Sequence, residues 1–553
     1  MQSALLLFAN REHWCTIRIM QMSLAELLAT AGSSFVYSSI STDRTGITIT
    51  GLAFDSRSVQ GGNLFFALPG AHADGKRFIA AAVHGGAVAV VYQGELPQGT
   101  DTSGAVFIQV PDARRAMAPI AAAFYGNPSE KLAVIGVTGT EGKSSTVSFV
   151  WQLLRLTGRK AGFISTVEYS LGGDAIPNPQ HQTTPEAPVV QHLLHQMVLN
   201  GCQYAVVEAS SHGLSDELFR LGHVAFDAGI FMNVTLEHLE FHKTFEKYRS
   251  DKANLFRALD RHSHVKNICG KAVCVPAFGI VNAEDKSAAY FAECTEQPVY
   301  AFTTLGAAGA AQDLPPVPGG TSLVTARNIV SSEKGVSFTL DGDFACAVKA
   351  AVPGAFNIYN ITAALIAVGV LTGIGARQMV LFAARLSAVK GRMTAVQCGQ
   401  PFEVIVDYAH TPSSFQTIFP PIKARARGRI IAVFGSAGER NLEKRPLQGR
   451  IAARFCDIII LADEDPRGEE PMALLRQIAS GAEEEGLKEG EGLFLIPDRK
   501  KAVRHALSLA QEDDIVLLLG KSHENSIIYK DYAMPYDELQ EARTALREKG
   551  YTQ

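Results

Sequence analysis

Leu132–Ser145 reads LAVIGVTGTEGKSS, an apolar run that empties into a glycine-rich turn ending in Lys143-Ser144-Ser145, with an amphipathic helical pattern behind it. Consecutive backbone N–H groups in such a turn, backed by the positive end of a helix, bind phosphate oxygens. A lysine reaches the terminal phosphates and a hydroxyl joins Mg2+. The chemistry is that of ATP. The spacing departs from the common P-loop, which would place glycine at Val137; Gly136 comes one residue too early. Farther on, Glu208 closes the apolar run Tyr204–Val207 and precedes Ala209-Ser210-Ser211-His212-Gly213. A carboxylate at a strand tip beside a phosphate loop suits Mg2+, a hard cation that prefers oxygen ligands.

The elements that must hold these residues separate into three α/β regions. Residues 22–126 alternate short β-type runs, such as Gly51–Phe54, Asn63–Ala67 and Ala87–Tyr92, with alanine-rich helical stretches. Residues 127–388 open with the phosphate loop, continue through strands at Tyr204–Val207 and Ala228–Met232, and carry a soft surface loop at Thr303–Ser322. In residues 389–553, strands at Val404–Val406, Ile430–Phe434, Ile458–Leu461 and Ile515–Leu519 alternate with helices such as Met472–Ala482 and Lys500–Gln511, which predicts a parallel sheet. Each of these strands runs into a polar or glycine cluster: Asp407–His410, Gly435–Gly438, Asp463–Arg467 and Gly520–Glu524. The carboxyl ends of parallel strands share one edge, where ligands bind, so four distant clusters are expected to form one site.

Composition narrows the class. At 553 residues, with 47% hydrophobic and 19% charged residues, the chain reads as a well-buried soluble enzyme of roughly three or four domains. A net charge of -4 gives no electrostatic case for nucleic acid. Eight cysteines scattered without a framework suit a reducing cytoplasm and free thiols. Residues 1–21 are expected to be a leader outside the fold: the apolar run Ala4–Ala9 is too short for a membrane span and lacks the basic flank of a signal peptide. His262, His264, Cys269 and Cys274 have no tight C-x-x-C pair, so they read as a plain insertion loop with no metal.

Thr138-Gly139-Thr140-Glu141-Gly142-Lys143-Ser144 resembles the ATP loop of the Mur ligases, amide-forming enzymes that build the peptide of the bacterial cell wall. Three later segments follow the same family in order. Glu208–His212 is similar to its E-x-S-S-H motif, Asn233–His242 to N-x-x-x-D-H-L-D-x-H, and Tyr248–Phe256 to Y-x-x-x-K-x-x-L-F. Glu237 and Glu240 stand where the family usually has aspartate. The resemblance implies that Ser144 and Glu208 hold one Mg2+, that His238 with Glu208 holds a second, and that Lys252 is carbamylated by CO2. An ordinary lysine would repel the metals, whereas a carbamate supplies an anionic oxygen. Taken alone, Lys252 would read as a solvated lysine paired with Asp251 or Glu246.

Further matches extend the resemblance over nearly the whole chain. Asp55-Ser56-Arg57, with the glycines after it, is similar to the family's uridine-diphosphate domain, where Ser56 would touch the nucleotide. Thr183-Thr184-Pro185-Glu186 resembles the T-T-P-E of the tripeptide synthetase branch, whose threonines bind the UDP-sugar peptide; Ser211 and Arg220 would add contacts. Gly354–Asn360, with Asn357 and Asn360, resembles the segment near adenine, and Gly391-Arg392-Met393 the hinge before the last domain. Asp407-Tyr408-Ala409-His410 would lie near ATP; with Thr138 to Ser145, Asn357, Asn360, Arg392 and Asp407 would bind the nucleotide, as the resemblance implies. Lys444-Arg445-Pro446 and Gly520-Lys521-Ser522-His523-Glu524 resemble the segments that take the incoming diamino acid, through Arg445, Gly520 and Glu524. Glu464-Asp465-Pro466-Arg467 stands in the place of D-N-P-R, the signature for meso-diaminopimelate. Arg467 would fork onto a distal carboxylate, while Asp465 replaces an amide donor by an anion that repels one. Lysine and ornithine therefore stay open beside diaminopimelate.

The resemblance thus implies a uridine-binding α/β domain, a central P-loop ATPase-like domain with a mostly parallel sheet, and a C-terminal Rossmann-like domain. Its activity would be ATP- and Mg2+-dependent ligation of a diamino acid to UDP-N-acetylmuramoyl-L-alanyl-D-glutamate. Lys143, Glu208, His238, Lys252 and His410 would be the catalytic residues of a cytoplasmic monomer that binds neither nucleic acid nor membrane. The alternatives are a ligase extending folate with glutamate and a catalytically silent nucleotide-binding regulator.

Overall fold

The computed structural model describes residues 20–32, 37, 39–40, 46–70, 74–178, 182–235, 237–305, 321–332, 334–439 and 442–552. Residues 1–19 of the expected leader and most of the expected loop at 303–322 lie outside the described residues. Two compact units divide the chain. The first joins Met1–Pro128 to Glu186–His195 and Asp216–Val224; the second comprises Ser129–Pro185, Gln196–Ser215 and Ala225–Gln553.

In the first unit, α1 (Leu24–Ala31) starts at Ser23, whose hydroxyl accepts from the Glu26 amide at 3.2 Å. The sheet contains β1 (Ser39–Ile40), β2 (Gly51–Ala53), β3 (Asn63–Ala67), β4 (Ala89–Gln93) and β5 (Val106–Val110), in the order β1-β5-β4-β3-β2. All pairs are parallel except β1–β5. The helices α2 (Ile79–His84) and α3 (Ala113–Phe124) cover it. Leu27, Phe66, Val91, Ile108, Met117, Ile120 and Phe124 share one core with Ala187, which returns from much later in the chain, and Met20 and Met22 pack against it.

The second unit opens with β6 (Ala133–Thr138), whose six residues are all buried, and α4 (Lys143–Leu156). It continues through β7 (Ala161–Ile164), β8 (Glu168–Ser170), β9 (Ile176–Pro177), β10 (Tyr204–Glu208), β11 (Ala228–Phe231) and the helix α5 (Phe245–Ala258). A separate hairpin, β12 (Val265–Ile268) with β13 (Lys271–Cys274), precedes β14 (Phe278–Asn282), β15 (Val299–Thr303), β16 (Ser322–Ser332), β17 (Gly335–Leu340), β18 (Cys346–Ala350) and α6 (Asn357–Thr372). Among the described residues these strands form one sheet in the order β9-β8-β7-β10-β6-β11-β14-β15-β16-β17-β18. From β7 to β16 the neighbours are parallel; both flanks are antiparallel.

The same unit holds a second sheet. Its strands are β19 (Thr394–Ala395), β20 (Glu403–Asp407), β21 (Ile430–Phe434), β22 (Ile458–Leu461), β23 (Leu493–Leu495) and β24 (Ile515–Leu519), in the order β19-β20-β24-β21-β22-β23, with only β19 antiparallel. IIAVF and IVLLL are buried throughout, as strands covered on both faces must be. Phe415, Phe419, Leu474 and Ile478 pack one face, and Val503, Leu507, Leu539 and Leu546 the other. Among the described residues no helix is long and apolar enough to cross a membrane.

Candidate active site

The turn after β6 is shaped by Gly142, which caps α4 at φ 83°, in the left-handed region that favours glycine. A Cβ there would stand 2.6 Å from Asn360 Oδ1. That oxygen accepts from the Thr146 hydroxyl (3.2 Å), while the Asn360 amide donates to Asn357 Oδ1 (3.0 Å). The two asparagines at the start of α6 thus brace the phosphate turn from behind. Lys143 donates from Nζ to the Thr140 carbonyl (2.8 Å), and the amides of Thr140 and Glu141 donate to Asn233 Oδ1 (3.1 and 2.8 Å).

Glu208, at the tip of β10, is 1% exposed and lies beside this turn because β10 and β6 are parallel neighbours. The Ser144 hydroxyl approaches both its oxygens (3.1 and 3.0 Å), and Ser165 and Thr166 add three further donors. A hydroxyl and a carboxylate with both oxygens converging are the donor set a hard divalent ion takes. His238 holds a left-handed backbone at φ 57°, with Nδ1 3.5 Å from Glu240 and Nε2 3.7 Å from Glu237. Burial pushes the Glu237 carboxyl up, but His238, His410, Lys143 and Lys252 outweigh it and hold the group below its ordinary value. For Glu141 burial wins, with Glu237 adding to it, and the carboxyl rises to about 7.

Lys252 on α5 is 2% exposed, donates to the Gly139 carbonyl at 2.6 Å and lies 4.6 Å over the Tyr248 ring. Burial, reinforced by Lys143, holds its amine well below the usual lysine range. A desolvated lysine of this kind gives up its proton more readily than a surface lysine, and its free amine is a nucleophile.

The carboxyl ends of β20, β24, β21 and β22 meet at one edge. The Gly520 amide donates to the Asp407 carbonyl (3.1 Å), the Gly438 amide to the Asp465 carbonyl (2.8 Å), and the Tyr408 hydroxyl to Glu524 (3.2 Å). Arg499, wholly buried and paired with Glu538 at 2.8 Å, donates to the carbonyls of Asp463 (3.2 Å) and Leu519 (2.6 Å), fixing two of these strand ends together. The edge also meets the phosphate turn. The Arg392 guanidinium lies 4.7 Å over the Tyr408 ring and donates to Ser144 Oγ (3.3 Å), and the Thr411 hydroxyl donates to Glu141 (3.3 Å). Thr166, Asn178 and Thr183 face Tyr408, His523 and Glu524 across one small cleft. Several buried polar atoms on this edge have no hydrogen-bond partner: Ser436 Oγ, Glu464 Oε2, Arg467 Nε, His523 Nδ1 and Arg392 Nε. Unsatisfied buried groups are uncommon, and a cluster of them marks where a polar ligand is received.

Three family profiles match the chain in succession: the Mur ligase family catalytic domain over residues 48–125, the Mur ligase middle domain over 137–368 and the Mur ligase glutamate ligase domain over 391–522. A UDP-N-acetylmuramyl-tripeptide synthetase from Treponema denticola is 53% identical over 89% of this chain and 90% of its own. The chain belongs to the Mur ligase family. A UDP-N-acetylmuramoyl-L-alanyl-D-glutamate--2,6-diaminopimelate ligase from Geobacillus kaustophilus is 36% identical over 91% of this Mur ligase and 96% of its own length. A solved structure of a ligase with that same name is 25% identical, with a TM-score of 0.60, over 96% of this chain and all of the other.

In this Mur ligase the residues expected to receive the amino acid differ in what they already hold. Arg445 is wholly buried, with both terminal nitrogens on Glu469 (2.7 and 2.9 Å) and one on Gln477 (2.8 Å). Its charge is answered inside the protein. Asp465 accepts from Lys521 Nζ (2.8 Å) and from the Ile528 amide (2.9 Å), so its anion is also compensated. Lys521 further pairs with Glu524. Glu464 Oε2, Arg467 Nε and Arg445 Nε have no hydrogen-bond partner, but only Arg445 has its charge already paired. Burial raises the Glu464 carboxyl against the pull of Lys444 and Lys521. Pro466 accepts the Glu469 amide through its carbonyl (3.1 Å).

The residues expected to take the UDP-substrate fall in both units. In the first, Ser56 opens a short 3-10 turn capped by Asp55, and Arg220 donates to Glu186 (2.7 Å). In the second, Thr184 donates to the Glu208 carbonyl (3.0 Å). Ser211 is buried against His242 Nε2 (3.0 Å), whose Nδ1 faces Asp251 (2.8 Å). The His242–Asp251 pair, Arg499 and Lys521 escaped the sequence reading of function. His242, Asp251 and Lys521 carried a signal, since they lie in the family-like segments Asn233–His242, Tyr248–Phe256 and Gly520–Glu524; Arg499 carried none.

Proposed function

We propose that this Mur ligase adds a diamino acid to the D-glutamate γ-carboxylate of UDP-N-acetylmuramoyl-L-alanyl-D-glutamate, with ATP and Mg2+, in the synthesis of peptidoglycan precursors in the cytoplasm. The observation that carries the reading is the meeting of the phosphate turn and the strand ends of the second sheet, through Arg392 on Ser144 and Thr411 on Glu141. We take 22–126, 127–388 and 389–553 as the UDP-substrate, ATP and amino-acid domains, and the acting species as a monomer.

Ser144, Glu208 and His238 would hold Mg2+, joined by Lys252 as a carbamate; when bound, the ions neutralise charge on the phosphates of ATP. In its deprotonated form the Lys252 amine can attack CO2, forming an N–C bond and losing one proton to solvent. The product is an anion in a place where an ammonium would repel the ions. Lys143 and the turn amides hold the ATP phosphates. The substrate γ-carboxylate then attacks the γ-phosphorus, ADP leaves, and an acyl phosphate forms. Positioning and fixed positive charge do most of the work in such a transfer.

Glu464 supplies a buried anion for an ammonium of the incoming diamino acid, and Arg467 a cation for a carboxylate. His410 donates Nδ1–H to the Tyr408 carbonyl at 2.8 Å, which leaves the Nε2 lone pair open. Burial, with Lys444 nearby, lowers this imidazole to about 4, so it is uncharged at neutral pH. His410 or a nearby carboxylate takes one proton from the incoming ammonium; the free amine then attacks the acyl carbon, the C–O bond to phosphate breaks, the departing phosphate takes the second N–H proton, and the amide forms. The test is phosphate release with ATP, Mg2+ and the UDP-dipeptide, offering meso-diaminopimelate, L-lysine and L-ornithine separately. Release with one of them is expected; silence with all three, despite ATP binding, would overturn the reading.

A further inference from the structure

Asp227 immediately precedes β11, at the opposite edge of the large sheet from the phosphate turn. Its amide donates to the Val134 carbonyl and its carbonyl accepts from the Phe278 amide, which fixes it at the start of three neighbouring strands. Two imidazoles converge on its carboxylate. His264 Nδ1 stands 2.9 Å from Oδ1, and His262 Nε2 stands 3.8 Å from the same oxygen, with the two rings 4.6 Å apart. One ligand atom from each of the three residues lies within 4.8 Å of the others. The other carboxylate oxygen is held by Lys266 Nζ (2.5 Å) and the Val134 amide (2.8 Å), so Oδ1 is the one turned to the imidazoles.

Two details call for a cation. His264 Nε2 lies 2.8 Å from the Leu259 carbonyl, which can only accept, so Nε2 carries the proton. In that tautomer Nδ1 presents a lone pair to a carboxylate oxygen, and two acceptors face each other unless something positive lies between them. His262 Nε2, meanwhile, is buried and makes no hydrogen bond. A second proton on His264 would satisfy the first pair and leave His262 alone. One divalent ion reaching all three atoms satisfies both. A ligating histidine whose other N–H is held by a backbone carbonyl is also the usual outer arrangement of metal sites.

We propose that Asp227, His262 and His264 form a binding site for a transition-metal ion of the Zn2+ class, which fastens the β12–β13 hairpin to the sheet. Two imidazoles and one carboxylate suit Zn2+ rather than Mg2+, which seeks oxygen ligands. Asp227 is fully enclosed, but the histidines are 18% and 16% exposed, which gives the ion an entry path and solvent for a fourth position. The cysteines of this segment take no part: Cys269 Sγ lies against the Gly201 and Cys202 carbonyls (3.8 and 4.0 Å), and Cys274 is exposed on β13.

The test titrates chelator-stripped full-length protein with Zn2+ in excess Mg2+, by calorimetry and by melting temperature, with Co2+ as an absorbing substitute. One equivalent of Zn2+ is expected to bind and raise the melting temperature. His262→Ala should weaken binding by at least about tenfold, abolish the Co2+ ligand-field band and leave ATP-dependent phosphate release unchanged. Zn2+ affinity equal in His262→Ala and wild type would overturn the proposal, as would the absence of uptake by wild type. In the unaltered chain, Zn2+ should shield His262 and His264 from diethyl pyrocarbonate, read by peptide mass mapping. Full modification at saturating Zn2+ would refute the site without recourse to any variant.

Discussion

Lys252 would be an ordinary surface cation anywhere else on a helix; here it is sealed against the Gly139 carbonyl and its amine is held below the usual lysine range. Lys252→Ala should therefore lower turnover by about 10²–10³-fold, the scale of losing one fixed electrostatic group. Formate or acetate in the buffer should restore part of it; phosphate release with and without the added carboxylate checks this, and unchanged turnover in the variant would remove the carbamate from the mechanism. His410 carries a pH signature. Its folded-state value of about 4 lies below the ordinary 6.5, so the unfolded chain binds more protons between those values. The stability contributed by an uncharged His410 is present above about 6.5 and is lost as pH falls toward 4. His410→Gln should flatten this part of the stability curve, measured by urea denaturation at several pH values. Lys143, Ser144 and Glu208 were legible in the sequence because each lies in a contiguous run whose neighbours state its role. Asp227 was not, since its partners His262 and His264 are far along the chain and only the sheet brings them together.

Among the elements, the phosphate turn has the least room for change. Gly142→Ala puts a Cβ into a left-handed backbone and 2.6 Å from Asn360 Oδ1, which is held by Thr146. It should cost about 1–3 kcal/mol in stability and weaken ATP binding by at least about tenfold, since the turn must open to relieve the contact. Melting temperature and nucleotide affinity together measure it; an unaffected affinity would mean that the turn does not grip phosphate. The neighbouring strands show what a pattern can and cannot reveal. Ile430–Phe434 and Ile458–Leu461 form where expected because unbroken apolar runs have nowhere to go but a doubly covered sheet. Ser322–Ser332 reads SLVTARNIVSS, and its second half is exposed, so neither alternation nor a run announced it. Its place is set by antiparallel pairing with β17, interrupted by a register shift between Arg327 and Val330. The antiparallel flanks of the large sheet were missed for that reason.

At the scale of the whole molecule, the N-terminal unit is built from three stretches of chain. Glu186–His195 brings Ala187 into its core and Glu186 to Arg114 and Arg220, the latter carried by Asp216–Val224. A fragment of residues 20–128 should therefore melt below the same unit in the full chain and lose amide protection in α3, measured by circular dichroism and hydrogen exchange. Equal protection would show that the two returning stretches are ornamental. The arrangement also sets a clock for biosynthesis. Translation from Ser129 to Val224 takes about 5–20 s at ordinary elongation rates, and for that interval the first domain made is the one that cannot be finished. Synonymous codons that slow the ribosome in this stretch would lengthen the time Met117, Ile120 and Phe124 wait for Ala187, open to chaperones and proteases, without altering one residue of the enzyme.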